Sequence, residues 1–169
     1  MKEKSPKIYL ASPLGFSESG RLFYYEKLVP LVVEVGFEVL DPWVLTKDKI
    51  LKPAMALPYG QKKKNKWRKI NKIIGRNNAN AIKKCNLILA CLDGVDIDSG
   101  TAAEIGYGVA LGKTVIGYRS DFRLAGDNDG ALVNLQVEYF IKLSGGAIAT
   151  NINELTNILK RYFKKFLLY

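Results

Sequence analysis

The chain has 169 residues, 48% of them hydrophobic, with 26 Lys and Arg against 16 Asp and Glu, a net charge of +10 and no histidine. That length carries the core of one α/β domain and is short for two, so a single domain over residues 1–169 is expected. The absence of histidine excludes Ser-His and Cys-His catalysis and leaves carboxylates, tyrosines and lysines for proton transfer and nucleophilic attack.

The N-terminal Met1-Lys2-Glu3-Lys4-Ser5-Pro6 leads toward a strand without the apolar core of a signal peptide. No apolar run approaches the roughly 18 residues of a membrane span. A cytoplasmic protein with no membrane partner is expected. Cys85 and Cys91 stand six apart, which is the spacing of neither a zinc knuckle nor a redox pair, so they read as buried thiols; no metal and no cofactor is expected.

In chain order, Lys7 to Ala11 predicts a first strand, Arg21 to Val35 an amphipathic helix ended near Gly36, and Phe37 to Leu40 a second strand stopped by Asp41-Pro42. Residues 41 to 61 carry Pro42, Pro53 and Pro58 and predict an irregular excursion with one short helix around Asp48 to Lys52. From Lys62 to Lys84, Trp67, Ile70, Ile73, Ile74, Ala81 and Ile82 fit one helical face, weakened by Gly75 and Asn77-Asn78. A third strand, Leu87 to Cys91, precedes a helix from Thr101 to Leu111. Gly112 then ends that helix before a fourth strand, Thr114 to Tyr118. After a polar loop come a helix near Leu132 to Leu143, a weak fifth strand, Ala147 to Thr150, and a last helix from Ile152 to about Lys165.

Alternating strands and helices imply an α/β fold, a doubly wound five-stranded parallel sheet with helices on both faces. The flavodoxin-like order 2-1-3-4-5 puts strands one and three at the switch point, where open α/β folds bind ligands. Three loops then meet: Ser12 to Gly20, the excursion after strand two, and Asp93 to Glu104.

The last of these holds a pair of carboxylates. Asp98 and Glu104 stand six apart at the end of a buried strand and can both face the crevice. The same residues also fit a plain helix start. Thr101-Ala102-Ala103-Glu104 spells a capping box, and Asp98 fits a turn residue satisfying the helix end. Spacing alone leaves both readings open. Gly106 and Gly108 fall inside the helix, where close packing explains them better than a dinucleotide site does.

Ile8-Tyr9-Leu10-Ala11-Ser12-Pro13, then Asp98-Ser99-Gly100-Thr101-Ala102-Ala103-Glu104-Ile105-Gly106-Tyr107, then Val133-Asn134-Leu135 resemble, in that order, the nucleoside 2-deoxyribosyltransferase family. The resemblance covers nearly the whole chain. It implies a retaining, two-step transfer of 2-deoxyribose between nucleobases through a covalent deoxyribosyl-glutamate, with Glu104 as nucleophile. It further implies Asp98 as proton donor or holder of the 3'-hydroxyl, and Tyr9 as the hydroxyl that orients the nucleophile. Ser12 and Gly100 count among the substrate-binding residues. Asn134 implies a reach to the 5'-hydroxyl in a neighbouring subunit, hence a homo-oligomer acting on deoxynucleosides and free nucleobases.

Asn78 stands where well-known members carry a second aspartate near the base, and an amide cannot serve as a general acid near neutral pH. Phe16 and Trp43 are candidates to sandwich the base. The terminal Tyr169 is similar to family members that end in tyrosine, but Lys160-Arg161-Tyr162-Phe163-Lys164-Lys165-Phe166 departs from that pattern and predicts a frayed basic tail.

Three rival readings follow from charge and motif. Lys62-Lys63-Lys64-Asn65-Lys66-Trp67-Arg68-Lys69 has the composition of a nucleic-acid patch, but no established nucleic-acid module accompanies it, so a solvated helix face is expected. A basic mouth would suit a 2'-deoxynucleoside 5'-monophosphate N-glycosidase, with Arg21 on the phosphate. A Rossmann-like module that binds a nucleotide without cleaving it has no need of the Asp98 and Glu104 pair.

Overall fold

Five short apolar runs become five parallel strands in the computed structural model, which describes residues 5–167: β1 (Lys7–Ala11), β2 (Glu38–Leu40), β3 (Leu87–Cys91), β4 (Thr114–Tyr118) and β5 (Ile148–Ala149). Their order is β2-β1-β3-β4-β5, the flavodoxin-like order expected from the sequence. The helices are α1 (Glu18–Phe23), α2 (Val29–Val35), α3 (Asp48–Met55), α4 (Gln61–Lys84), α5 (Ser99–Ala110), α6 (Leu135–Leu143) and α7 (Ile152–Phe166).

Side-chain alternation sorts the core into two layers. Ile8, Leu10, Leu87, Leu89 and Cys91 face one way and pack on Leu28 and Val32 and on Leu155, Leu159 and Tyr162 of α7. Tyr9, Ala11, Ile88 and Ala90 face the other way, onto Ala81 and Ile82 of α4, Ile105 of α5 and Ile141 of α6. Helices therefore cover both faces. Gly108 brings α5 close to the sheet, because a Cβ there would lie 2.1 Å from Cδ1 of Ile88. Close packing is its role, as expected. Both cysteines are buried free thiols, and burial pushes Cys91 up to about 12.

The differences from expectation lie between strands. The first helix opens earlier, at Glu18, because the Ser17 hydroxyl accepts from the Gly20 amide and caps it. It is also broken by a π-helical segment, Tyr24–Leu28, just before Pro30. Proline lacks the amide an α-turn would use, and a widened turn accommodates the loss. Within the excursion, α3 runs to Met55 through Pro53 because Ala54 is buried and the helix packs on α4. The Asn77-Asn78 pair does not interrupt α4; Asn77 instead ties the excursion to it, donating to Oγ1 of Thr46 at 3.0 Å.

The Lys160 to Phe166 segment is not a frayed tail. It belongs to α7, whose Phe163 and Phe166 pack edge-on against Phe37. The expectations for Tyr169 and for residues 1–4 fall outside the described residues. Among the described residues, no helix is long and apolar enough to cross a membrane.

Candidate active site

A cavity of about 480 Å³ opens at the carboxyl ends of β1 and β3, where the sheet order reverses. Ser12, Phe16, Trp43, Asn78, Asp98, Gly100 and Glu104 all line it. Three loops distant in sequence therefore converge as the topology requires. Tyr9 lies beneath, fully buried in β1.

Glu104 sits in the second turn of α5 and does not cap it. The helix begins at Ser99, so the capping-box alternative fails: Thr101 is already inside the helix, and Glu104 is too far along to reach its start. The carboxylate turns into the cavity instead, where Oε1 accepts from the Tyr9 hydroxyl at 2.6 Å and from the Asn78 amide at 3.4 Å. Burial raises its pKa above the ordinary carboxylate value; the two donors lower it and the nearby Asp98 charge adds to the rise. The Tyr9 phenol is raised in turn, first by burial and then by the facing carboxylate, so it stays a donor.

Asp98 is the residue that caps α5. Its Oδ2 accepts from the Thr101 amide at 2.9 Å and the Thr101 hydroxyl at 3.2 Å. The helix-cap alternative therefore holds for Asp98, which lines the cavity at the same time.

Trp43 and Phe16 do not form the two plates of a sandwich. Their rings touch each other edge to face, with centroids 4.7 Å apart and planes at 90°, and so make one corner of the cavity. The Trp43 indole lies on Gly15, where a Cβ would come within 2.1 Å of Cε2. Any larger residue there would push the indole out. Asp41, read in the sequence only as a strand stop, anchors the same corner: its buried carboxylate accepts from the Tyr24 hydroxyl (2.9 Å), the Tyr25 hydroxyl (3.1 Å) and the Trp43 amide (2.9 Å). Burial and this carboxylate push Tyr25 up to about 12.

Pro42, Thr46, Leu51, Trp67, Ile74 and Thr101 complete the lining and are not among the site residues expected from the sequence. Trp67, Ile74 and Asn78 are spaced by seven and four, one helical stripe, so the signal for a wall was present in α4. The same spacing is that of core residues, which hides it. Thr46 and Leu51 come from the excursion and carry no such signal.

Asn134 is not brought to this cavity. It caps α6, its Oδ1 accepting from the amides of Gln136 at 3.1 Å and Val137 at 3.3 Å. Arg21 is also elsewhere, donating to the Gly15 carbonyl at 3.2 Å.

Sequence comparison places the chain among known proteins. The nucleoside 2-deoxyribosyltransferase family profile matches residues 8–136, well over half the chain. The chain belongs to that family. Among solved structures, a conserved protein from Enterococcus faecalis V583 is similar at 25% identity and a TM-score of 0.69, covering 94% of this chain and 99% of that one. A 2-deoxyribosyltransferase from Bacillus psychrosaccharolyticus shares the fold at 24% identity and a TM-score of 0.63, over 89% of this chain and 90% of that one. A Leishmania mexicana 2-deoxyribosyltransferase shares it at 22% identity and a TM-score of 0.61, over 94% and 97%. No curated protein matches the chain in sequence.

Proposed function

We propose that the chain is a nucleoside 2-deoxyribosyltransferase, moving 2-deoxyribose from one nucleobase to another with Glu104 as nucleophile. The observation that carries this reading is the Glu104 carboxylate, turned away from its own helix into the cavity and held by the Tyr9 hydroxyl at 2.6 Å. A residue needed only for capping or packing would not be left half-buried with its charge facing a cavity.

In the first half-reaction a Glu104 oxygen bonds to C1' as the C1'–N bond breaks, and the electron pair of that bond leaves with the base. In the second, a ring nitrogen of the acceptor base attacks C1', Glu104 departs as carboxylate with the electron pair of the C1'–O bond, and the base gives up its ring proton to solvent. Two inversions give retention. Tyr9 orients the nucleophile throughout. Asp98, already accepting two hydrogen bonds, acts as an acceptor and receives the 3'-hydroxyl on its other oxygen. Asn78 has no titratable proton, so the proton on the departing nitrogen comes from solvent.

The nucleotide N-glycosidase alternative is less well supported. Among the described residues lining the cavity none is cationic, and Arg21 is turned to Gly15, so a 5'-phosphate finds no counter-charge there. For the subunit arrangement, we propose that a second copy covers the exposed apolar side chains Phe122, Leu124, Leu135 and Tyr139, which flank Asn134 in sequence, and so delivers Asn134 to a neighbour's cavity.

Incubating deoxyinosine with adenine and separating products by chromatography tests the activity. Formation of deoxyadenosine in excess of free deoxyribose supports transfer. Equal release of deoxyribose with and without adenine would mean hydrolysis.

A further inference from the structure

We infer that the first half of α4 is a binding surface for single-stranded nucleic acid. Residues 49 to 84 contain twelve Lys and Arg and no Asp or Glu, and eight of the twelve lie between Lys62 and Arg76. Among the described residues none of these eight forms an ion pair. A solvated helix face in a stable protein mixes signs, because opposite charges one turn apart attract and like charges repel.

The shape fits a strand better than a small anion. Lys62, Lys66 and Lys69 line a groove of about 340 Å³ on one side of the helix. Lys63, Lys64 and Arg68 line another, of about 390 Å³, on the opposite side. From Lys62 to Arg76 the ridge is fourteen helical steps, about 21 Å at a rise of roughly 1.5 Å per residue, which exceeds one nucleotide. The start of α4 has no side-chain cap and no acidic residue in its first turn, so its amides and its lysines contribute to one positive field.

An exposed ring, Tyr59, with the half-buried Trp67 beside it, points to unpaired bases. Tyr59 is 85% exposed and shares the second groove with Trp67; Lys64 stands 5.3 Å from the Tyr59 ring centre. Exposed rings beside cations are how proteins hold single strands without reading sequence, and a duplex keeps its base faces closed to them. Trp67 also lines the Glu104 cavity, so the surface adjoins it. Binding does not depend on the transferase reading.

The test is fluorescence anisotropy of the full chain with a labelled oligothymidylate of about 12 nucleotides, titrated across salt. The expected result is binding whose log K falls linearly with log salt, with a slope reduced by about 0.7 for each lysine removed. Neutralising Lys62, Lys64, Lys66 and Lys69 to Gln should lower affinity at least tenfold. Tyr59→Ala should lower it about threefold at an unchanged slope. Circular dichroism and deoxynucleoside transfer, expected to be unchanged in both variants, show that they fold and keep the two claims apart. No salt-sensitive binding, equal affinity after neutralisation, equal affinity for duplex, or tighter binding to phosphatidylserine vesicles than to the oligonucleotide would overturn the inference.

Discussion

The two helices that wall the cavity begin in opposite ways. α5 starts at Asp98, a carboxylate that satisfies the Thr101 amide and complements the positive end of the helix dipole. α4 starts at Gly60 with no side-chain cap and carries Lys62, Lys63 and Lys64 in the first turn, where positive charge is least favourable. In α5 the residue that stabilises the helix also faces the ligand cavity. In α4 the cations between Lys62 and Arg76 meet no carboxylate among the described residues; Lys63 donates only to the Met55 carbonyl, at 3.1 Å. The first helix end is electrostatically satisfied by its own chain and the second is not.

The largest effect should come from the α5 wall. Glu104→Ala is expected to lower transfer by at least about 10⁴-fold, as loss of a covalent nucleophile does, measured by steady-state turnover. Because Glu104 is no cap, its removal should cost little stability. The sign of its titration sharpens the point: the folded pKa lies above the ordinary 4.5, so the folded state holds the proton to higher pH than the unfolded state does. Stability from this group therefore falls as pH rises through that interval. Glu104→Gln should abolish that fall in a series of melting temperatures while removing turnover.

Next is Tyr9→Phe, expected to lower kcat/KM by roughly 10- to 100-fold. It removes a donor that favours the Glu104 carboxylate, so the acid limb of the pH–rate profile should move to higher pH. A parallel drop at every pH would assign Tyr9 to packing alone.

Asp98 tests whether one residue does two jobs. Asp98→Ala should lose about 1 kcal/mol of stability with the cap. Asp98→Asn keeps an efficient cap but loses the charge, so chemical denaturation should change by only a few tenths of a kcal/mol while KM for the deoxynucleoside rises. An unchanged KM in Asp98→Asn would return Asp98 to capping alone.

The smallest effect belongs to α4. Lys62→Glu should stabilise the chain by about 0.3–1 kcal/mol at low salt, because it puts a negative charge in the first turn. Transfer should stay unaltered. Destabilisation would mean that Lys62 itself has a partner in the native chain.

How much the sequence disclosed follows the same division. The strands were legible because each is a short apolar run bounded by turn residues, and the sheet order followed from alternation and handedness. The Asp98 and Glu104 pair was visible, but spacing could not say which residue capped the helix; that depended on where α5 starts. The α4 wall was obscured because Trp67 and Ile74 have the periodicity of core residues, and Asn77-Asn78 looked like helix breakers while in fact tying down the excursion and touching Glu104. Thr46 and Leu51 reach the cavity only through tertiary packing of α3 and its approach on α4, which no local pattern encodes. Phe16 and Trp43 form a corner of the cavity rather than two facing plates because Gly15 lets the indole lie down on its own loop.

The most direct test of the account is to trap the intermediate. The protein would be incubated with deoxyinosine without any acceptor base, quenched in acid and digested, and its peptides examined by mass spectrometry. A deoxyribosyl adduct on Glu104, absent after addition of adenine before the quench, is the predicted result. Turnover without any adduct on Glu104, or an adduct on another residue, would contradict it.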